Sequence, residues 1–132
     1  MDDAATKGPD ASRKFDLTER TARFGEAVLR FARQIRVDVV SSPLIRQLVR
    51  AATSIGANYA EADEASSKKE FRYRINVCVR ESRETKHWLR MMAIASPDHK
   101  ETARRMWKEA DELNRIFATI HRRSRPPSND TG

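Results

Sequence analysis

A Glu-x-x-His pair, a single cysteine and rows of arginine are the parts of this sequence whose types and spacing could carry chemistry. The pair is Glu84 and His87. Helical bundles that hold two metal ions use two such pairs and a Glu from each of two further helices. Glu61 and Glu64 could supply one of those acids, but the chain has no second Glu-x-x-His. Glu84 and His87 therefore read as a surface acid and a surface histidine. His99 and His121 stand near the two ends of one helical segment without a partner for base or ligand chemistry, and His121 would complement a helix C-terminus. Cys78 falls on an apolar stripe, where a thiol is buried and inert. No Ser, His and Asp set and no Gly-rich phosphate loop is present. These residues predict no enzyme, no cofactor and no metal site.

The arginines are organised. Basic residues number 26 against 19 acidic, a net charge of +7, and 19 of the 26 are Arg. The planar guanidinium forms bidentate bonds to phosphate that an ammonium cannot. Arg72, Arg80, Arg83 and Arg90 share one outer stripe of a helical segment, with His87 inside it and Lys86 at its edge. Arg23, Arg30 and Arg33 do the same on an earlier segment. Such rows can contact successive phosphates of a nucleic acid. The competing reading is an ordinary ion-paired surface. Glu26 precedes Arg30 by four, and Glu81 and Glu84 interrupt the later stripe. No aromatic residue is expected among these arginines, so no base-stacking platform is predicted. A second polar row, Asn58 and Glu61 beside Glu81 and Glu84, needs partners from Arg50, Arg74 or Arg80 if it is partly buried. It reads as surface pairs or as part of a subunit interface.

The elements that must position these groups are helices. The chain has 132 residues, 34% charged, with four Gly and five Pro, as expected of one all-α domain. Its N-terminus has no apolar stretch and no segment approaches a membrane span, which predicts a cytoplasmic protein with no membrane partner. Residues 1–16 read as a disordered leader, 17–122 as a bundle and 123–132 as a disordered tail. The first helix is expected from about Thr18 to Arg36, with Phe24, Val28, Phe31 and Ile35 inward. Val37 to Ser41 should be an extended connector that tucks its valines onto the bundle. Ser42 and Pro43 suit the cap and first position of a second helix, with Leu44, Leu48, Ala51, Ile55, Tyr59 and Ala62 inward. Ala52, Gly56 and Ala60 make a row of small side chains beside them, which suits close approach of another helix. Ser67 and Glu70 form a capping box for a third helix, whose inner face runs Phe71, Ile75, Cys78, Ser82, Thr85, Leu89 and Met92. Ser96-Pro97 opens a fourth, with Ala103, Met106, Ala110, Leu113, Phe117 and Ile120 inward. Short links make neighbours antiparallel, so the predicted fold is an up-down-up-down four-helix bundle.

The run Gln47 to Ala62 (QLVRAATSIGANYAEA), then Ser67-Lys-Lys-Glu-Phe71, then Glu81-Ser-Arg-Glu-Thr85 with Trp88-Leu89, closely resembles the four-helix-bundle family of 23S rRNA intervening sequence proteins. Phe31-Ala-Arg33 fits as well, and the resemblance covers about residues 15 to 120. It implies a left-handed up-down bundle and a ring-shaped homopentamer. Members are named for reading frames inside inserted segments of bacterial 23S rRNA genes. Accessory proteins of diversity-generating retroelements look similar, and these work with a reverse transcriptase and nucleic acid. In such a ring Ala52, Gly56 and Ala60 would let helices approach, and Asn58, Glu61, Glu81 and Glu84 would bond between subunits. Five copies of +7 would carry about +35. The expectation is a non-enzymatic homo-oligomer that binds nucleic acid, RNA first, through an Arg-rich face. The alternative is a protein-interaction scaffold, such as an accessory subunit of a reverse transcriptase complex.

Overall fold

The computed structural model describes residues 9–126. Four α-helices follow in order: α1 Pro9–Gln34, α2 Ser41–Asp63, α3 Lys68–Ala95 and α4 Lys100–Arg123. A 3-10 turn, Pro97–His99, precedes α4. At about 1.5 Å per residue, 23 to 28 residues make rods of roughly 35 to 42 Å. The connections are short, so each helix runs antiparallel to the one before it. The up-down-up-down bundle is the observed fold. Within it, α3 packs along both α2 and α4, whereas α1 lies on α2 and touches α4 only lightly.

The apolar periodicity places the core. Phe24, Val28, Phe31 and Ile35 of α1 are buried, as are Leu48, Ala51, Ile55, Tyr59 and Ala62 of α2. On α3 the whole run Ile75, Cys78, Ser82, Thr85, Leu89 and Met92 is buried. Its two hydroxyls are satisfied inside the helix: Ser82 Oγ donates to the Cys78 carbonyl at 2.7 Å and Thr85 Oγ1 to that of Glu81 at 2.7 Å. Ala103, Ala110, Leu113 and Phe117 close the core from α4, while Leu44, Phe71, Met106 and Ile120 pack at its margins. Asn114 ties α4 to α3 by donating to the Val79 carbonyl at 2.8 Å and to Ser82 Oγ at 3.0 Å.

The ends differ from expectation in instructive ways. Helix α1 begins at Pro9, well before Thr18, so residues 9–16 of the expected leader are helical. Proline lacks an N–H that a first helical turn could not bond anyway, so Pro9 is compatible with the first turn of a helix. The rest of that leader, residues 1–8, and residues 127–132 of the expected tail lie outside the described residues. Helix α2 begins at Ser41 with Val40, not Ser42, at its cap position, and that cap makes no side-chain bond; Asp38 secures the turn before it. The Asp38 carboxylate accepts from the N–H groups of Val40 at 2.9 Å and Ser41 at 2.8 Å, and Ser41 Oγ donates to the Arg36 carbonyl at 2.6 Å. This capping turn points the valines outward. Val37, Val39 and Val40 are 70%, 89% and 57% exposed, which overturns the expectation that they tuck onto the bundle. The capping box of α3 holds in part: Ser67 Oγ accepts from the Glu70 N–H at 3.0 Å, but the Glu70 carboxylate reaches Ser66. Pro97 opens the 3-10 turn that leads into α4, and Ser96 makes no side-chain cap bond there.

The small-residue row is used within the chain. Ala52 is fully buried, and a Cβ on Gly56 would lie 3.4 Å from Thr21 Oγ1 and 3.5 Å from the Thr21 carbonyl oxygen of α1. Gly25 of α1 faces the same crossing, where its added Cβ would meet Thr53 Cα at 3.8 Å. Ala60, farther along, is exposed. A methyl at position 56 thus makes ordinary contact, while a larger side chain must push α1 off α2. Gly56→Ala is expected to keep or raise stability, by up to about 1 kcal/mol from helix propensity. Gly56→Leu is expected to lose about 1–3 kcal/mol by overpacking. Urea unfolding curves of the two variants check this, and a Leu variant as stable as wild type would refute the close crossing.

Candidate nucleic-acid interface

The helices place the predicted arginines on two separate surfaces. Stripe residues Arg80, Arg83 and Arg90 are exposed on the outer face of α3. Arg23, Arg30 and Arg33 are exposed on α1, which is not a packing neighbour of α3. In an up-down bundle these two helices are diagonal, so one chain presents two Arg surfaces and not one continuous face. Arg30, Arg33, Arg80, Arg83 and Arg90 have no ion pair with any acid among the described residues, and Glu26 does not pair with Arg30. Arg23 is bound to Glu19 at 3.0 Å, an exposed i,i+4 pair that contributes little.

Two predicted contact residues are not exposed, unpaired cations. Lys86 Nζ donates to Asp111 Oδ1 of α4 at 2.9 Å and lies 5.3 Å from the centre of the Trp107 ring. Its side chain is 21% exposed, so it serves the α3–α4 seam. Arg72 is half-buried, and its Nε is shut off from solvent without a partner. The structure also reveals a group that the sequence reading passed over. Tyr73 is 59% exposed, with the Arg74 guanidinium 5.4 Å from its ring centre. It precedes Arg80 by seven residues, two helical turns, so it stands in the same outer stripe. An aromatic ring does therefore interleave with the basic residues. A spacing test that paired Tyr73 with Arg80 and Lys69 would have found it.

The polar row between α2 and α3 forms two bonded clusters. Arg50 of α2 bonds both carboxylates of α3, Glu81 at 3.2 Å and Glu84, and also bonds Gln47 at 3.1 Å. Glu84 further accepts from Trp88 Nε1 at 3.0 Å. About two turns along, Arg74 donates to Asn58 Oδ1 at 3.0 Å, and Asn58 donates to the Ser54 carbonyl and hydroxyl, both at 2.9 Å. Arg50 and Arg74 are the partners expected for this row; Arg80 is not used. Glu61 stays exposed outside both clusters. Across the bundle Arg20 clamps α1 to α4 with bidentate bonds to Glu109 at 2.8 and 2.9 Å and a third to Glu112 at 2.6 Å. These bonds raise the Arg20 pKa further above its ordinary value, Glu109 first.

The candidate catalytic groups are spent or isolated. Glu84 is bonded to Arg50 and Trp88, and His87 is exposed with its ring 4.8 Å from that of Trp88. His99 packs edge-on against Phe31 with ring centres 5.9 Å apart. Burial, then Arg72 and Arg125, push the His121 pKa down, against the charged form that would complement the α4 C-terminus. Burial pushes the Cys78 thiol up to about 12, in keeping with an inert core residue. Among the described residues no three of His, Cys, Asp and Glu converge as metal ligands, and no helix is long and apolar enough to cross a membrane.

Three carboxylates are held below their usual range: Asp38 by the Ser41 and Val40 N–H groups, Glu84 by the Trp88 indole and Arg50, and Asp111 by Lys86. A carboxylate whose folded pKa lies below its unfolded one stabilises the fold above the unfolded value, and that contribution is lost as pH falls through the folded one. The ordinary values are 3.8 and 4.5, so the loss is expected below about pH 4. Melting temperature followed by circular dichroism should be nearly level from pH 7 to 5 and fall by pH 3. A level curve down to pH 3 would show that these bonds do not matter to stability.

An all-α bundle with exposed, unpaired arginines and a polar α2–α3 seam is thus the class of protein that fold and surface define. The family model for the 23S rRNA-intervening sequence protein matches residues 13–119, and the chain belongs to that family. Among solved structures, a protein of unknown function from the S23 ribosomal protein family of Bacteroides thetaiotaomicron is similar, with a TM-score of 0.71 and 23% identity. The match covers 80% of this chain and 97% of that one, and it shows a shared fold. No curated protein matches.

Proposed function

We propose that this protein is a non-enzymatic, homo-oligomeric bundle that binds nucleic acid, RNA first, through its exposed arginines. The observation that carries the reading is the selective pairing of charge. Arg20, Arg50 and Lys86 are matched to acids at helix seams, while Arg80, Arg83 and Arg90 on α3 and Arg30 and Arg33 on α1 stand free. A stripe free of acid partners suits successive phosphates, with affinity that falls steeply as salt rises. Tyr73 adds a ring on which one unpaired base can stack. Two Arg surfaces per chain also favour assembly, since a ring of copies would align equivalent stripes and raise avidity without strong single contacts. The half-exposed Arg50–Glu81–Glu84 network is the candidate subunit contact.

The test is light scattering of nuclease-treated protein with and without RNA, at low and moderate salt. A mass near five chains that rises with RNA only at low salt supports the reading. A monomer would remove the assembly, and a homo-oligomer indifferent to RNA would remove the nucleic-acid role. A second reading, a scaffold for a protein partner such as a reverse transcriptase, is favoured by one observation: Val37, Val39 and Val40 form an exposed apolar turn. Partner binding that survives nuclease and high salt would select it.

A further inference from the structure

We propose that the end of the bundle where α3 begins and α4 stops holds a site for a terminal phosphate or polyphosphate group. A cleft of about 1000 Å³ opens there, and Lys68, Lys69, Arg72, Arg123 and Arg125 all line it. Among the described residues, none of those lining it is acidic. Glu70, the acid at the start of α3, is not among them; its carboxylate accepts from the N–H and hydroxyl of Ser66 at the cleft's edge. Five cations around one concave space set up a positive potential that attracts an anion.

Three further observations aim at the same ligand chemistry. Arg72 has a buried Nε with no partner, a donor that costs free energy until an acceptor arrives. The N–H groups of Lys68 and Lys69 stand at the first turn of α3, where no intrahelical acceptor reaches them and the helix dipole favours negative charge. The opposite pole, at the end of α4, is satisfied locally, because the Ser124 and Arg125 N–H groups bond the carbonyls of Ile120 and Arg122 at 3.0 and 3.4 Å. Lastly, burial and then the charges of Arg72 and Arg125 push the His121 pKa down, which places two of the cleft's guanidinium groups near that ring.

The charge density distinguishes this cleft from the stripes. Internal phosphodiesters carry one negative charge each and run along a surface. A cleft with five cations fits a group with two or more charges on one phosphorus or on adjacent ones, and its volume admits a nucleotide-sized ligand. Such a group comes either from a free nucleotide or from the 5′ end of an RNA. The inference does not depend on the stripes.

The experiment is isothermal titration of the full chain with pyrophosphate, ATP and adenosine at low salt. Wild type is expected to bind pyrophosphate and ATP saturably and adenosine not at all. The surface variant K69Q/R123Q should lose about tenfold or more in affinity, and R80Q/R83Q should not change. Both altered pairs are exposed, so folding should survive; R72Q then checks the buried donor. Absence of saturable binding, or equal loss in both double variants, would overturn the site. RNAs with a 5′-triphosphate or a 5′-hydroxyl distinguish the sources. Tighter binding of the triphosphate end identifies an RNA terminus, and equal binding beside a saturable ATP site identifies a free nucleotide. Binding of the 5′-hydroxyl RNA reads the stripes alone, so the two proposals fail separately.

Discussion

Replacing Arg80, Arg83 and Arg90 together by Ala is expected to flatten the salt dependence of RNA binding by roughly 2 to 3 in the slope of log K against log salt. Each free guanidinium that neutralises a phosphate releases about 0.7 to 0.9 of a counterion, depending on whether the strand is single or paired. These three side chains are exposed and bonded to no acid, so their removal should leave the fold intact. At physiological salt the affinity should fall by one to two orders of magnitude or more, roughly equally for unrelated sequences, because phosphates carry no sequence. Filter binding at four salt concentrations measures the slope. Lys86→Ala is the useful contrast. Lys86 already holds Asp111, so its loss should lower stability and change the slope little. An unchanged slope in the triple variant would move RNA binding off α3 altogether.

The largest stability effect is expected at Phe117. It is fully buried in the core and lies 5.9 Å, ring centre to ring centre, from Tyr59 of α2. Phe117→Ala removes a large side chain from a site between rigid helices, which should cost about 3–5 kcal/mol. That corresponds to roughly 10 to 20 °C in melting temperature for a domain of this size. The control is Ile94→Ala, a large apolar residue 78% exposed, expected within about 0.5 kcal/mol of wild type. Denaturant unfolding would decide, and a Phe117 variant that loses under 1 kcal/mol would show that the core repacks freely.

Much of this fold was readable from spacing. The α3 run from Ile75 to Met92 is buried at every position that the helical period selects, because one face of a long helix has nowhere else to go. Caps were harder. Ser42-Pro43 carries a strong start signal, yet Asp38 captures the free N–H groups first, and the choice turns on a few hydrogen bonds near an exposed turn. The outward valines follow from that choice. The candidate interface was legible as composition and stripe, since exposed residues of one helix keep their relative order whatever they pack on. What escaped was long-range pairing. Arg20 meets Glu109 across 89 residues of sequence, and nothing local to either announces the other. For the same reason Lys86 looked free until α4 brought Asp111 to it. Gly56 signalled a close crossing, but only the three-dimensional arrangement shows that α1 of the same chain makes it.

The lopsided packing of α1 sets the order in which the molecule comes apart. Helices α2, α3 and α4 form a slab held along two full seams, with α1 laid across one edge and fastened to the far side by a salt-sensitive Arg20 clasp. The cheapest opening is therefore a peel of α1, which should exchange its amide hydrogens before α3 does, and sooner still as salt rises. Such a peel bares Ala52, Ile55 and Gly56, a ready seat for the α1 of a second chain. In a ring of the kind proposed above, copies would exchange α1 as a strap while three helices of each stay folded.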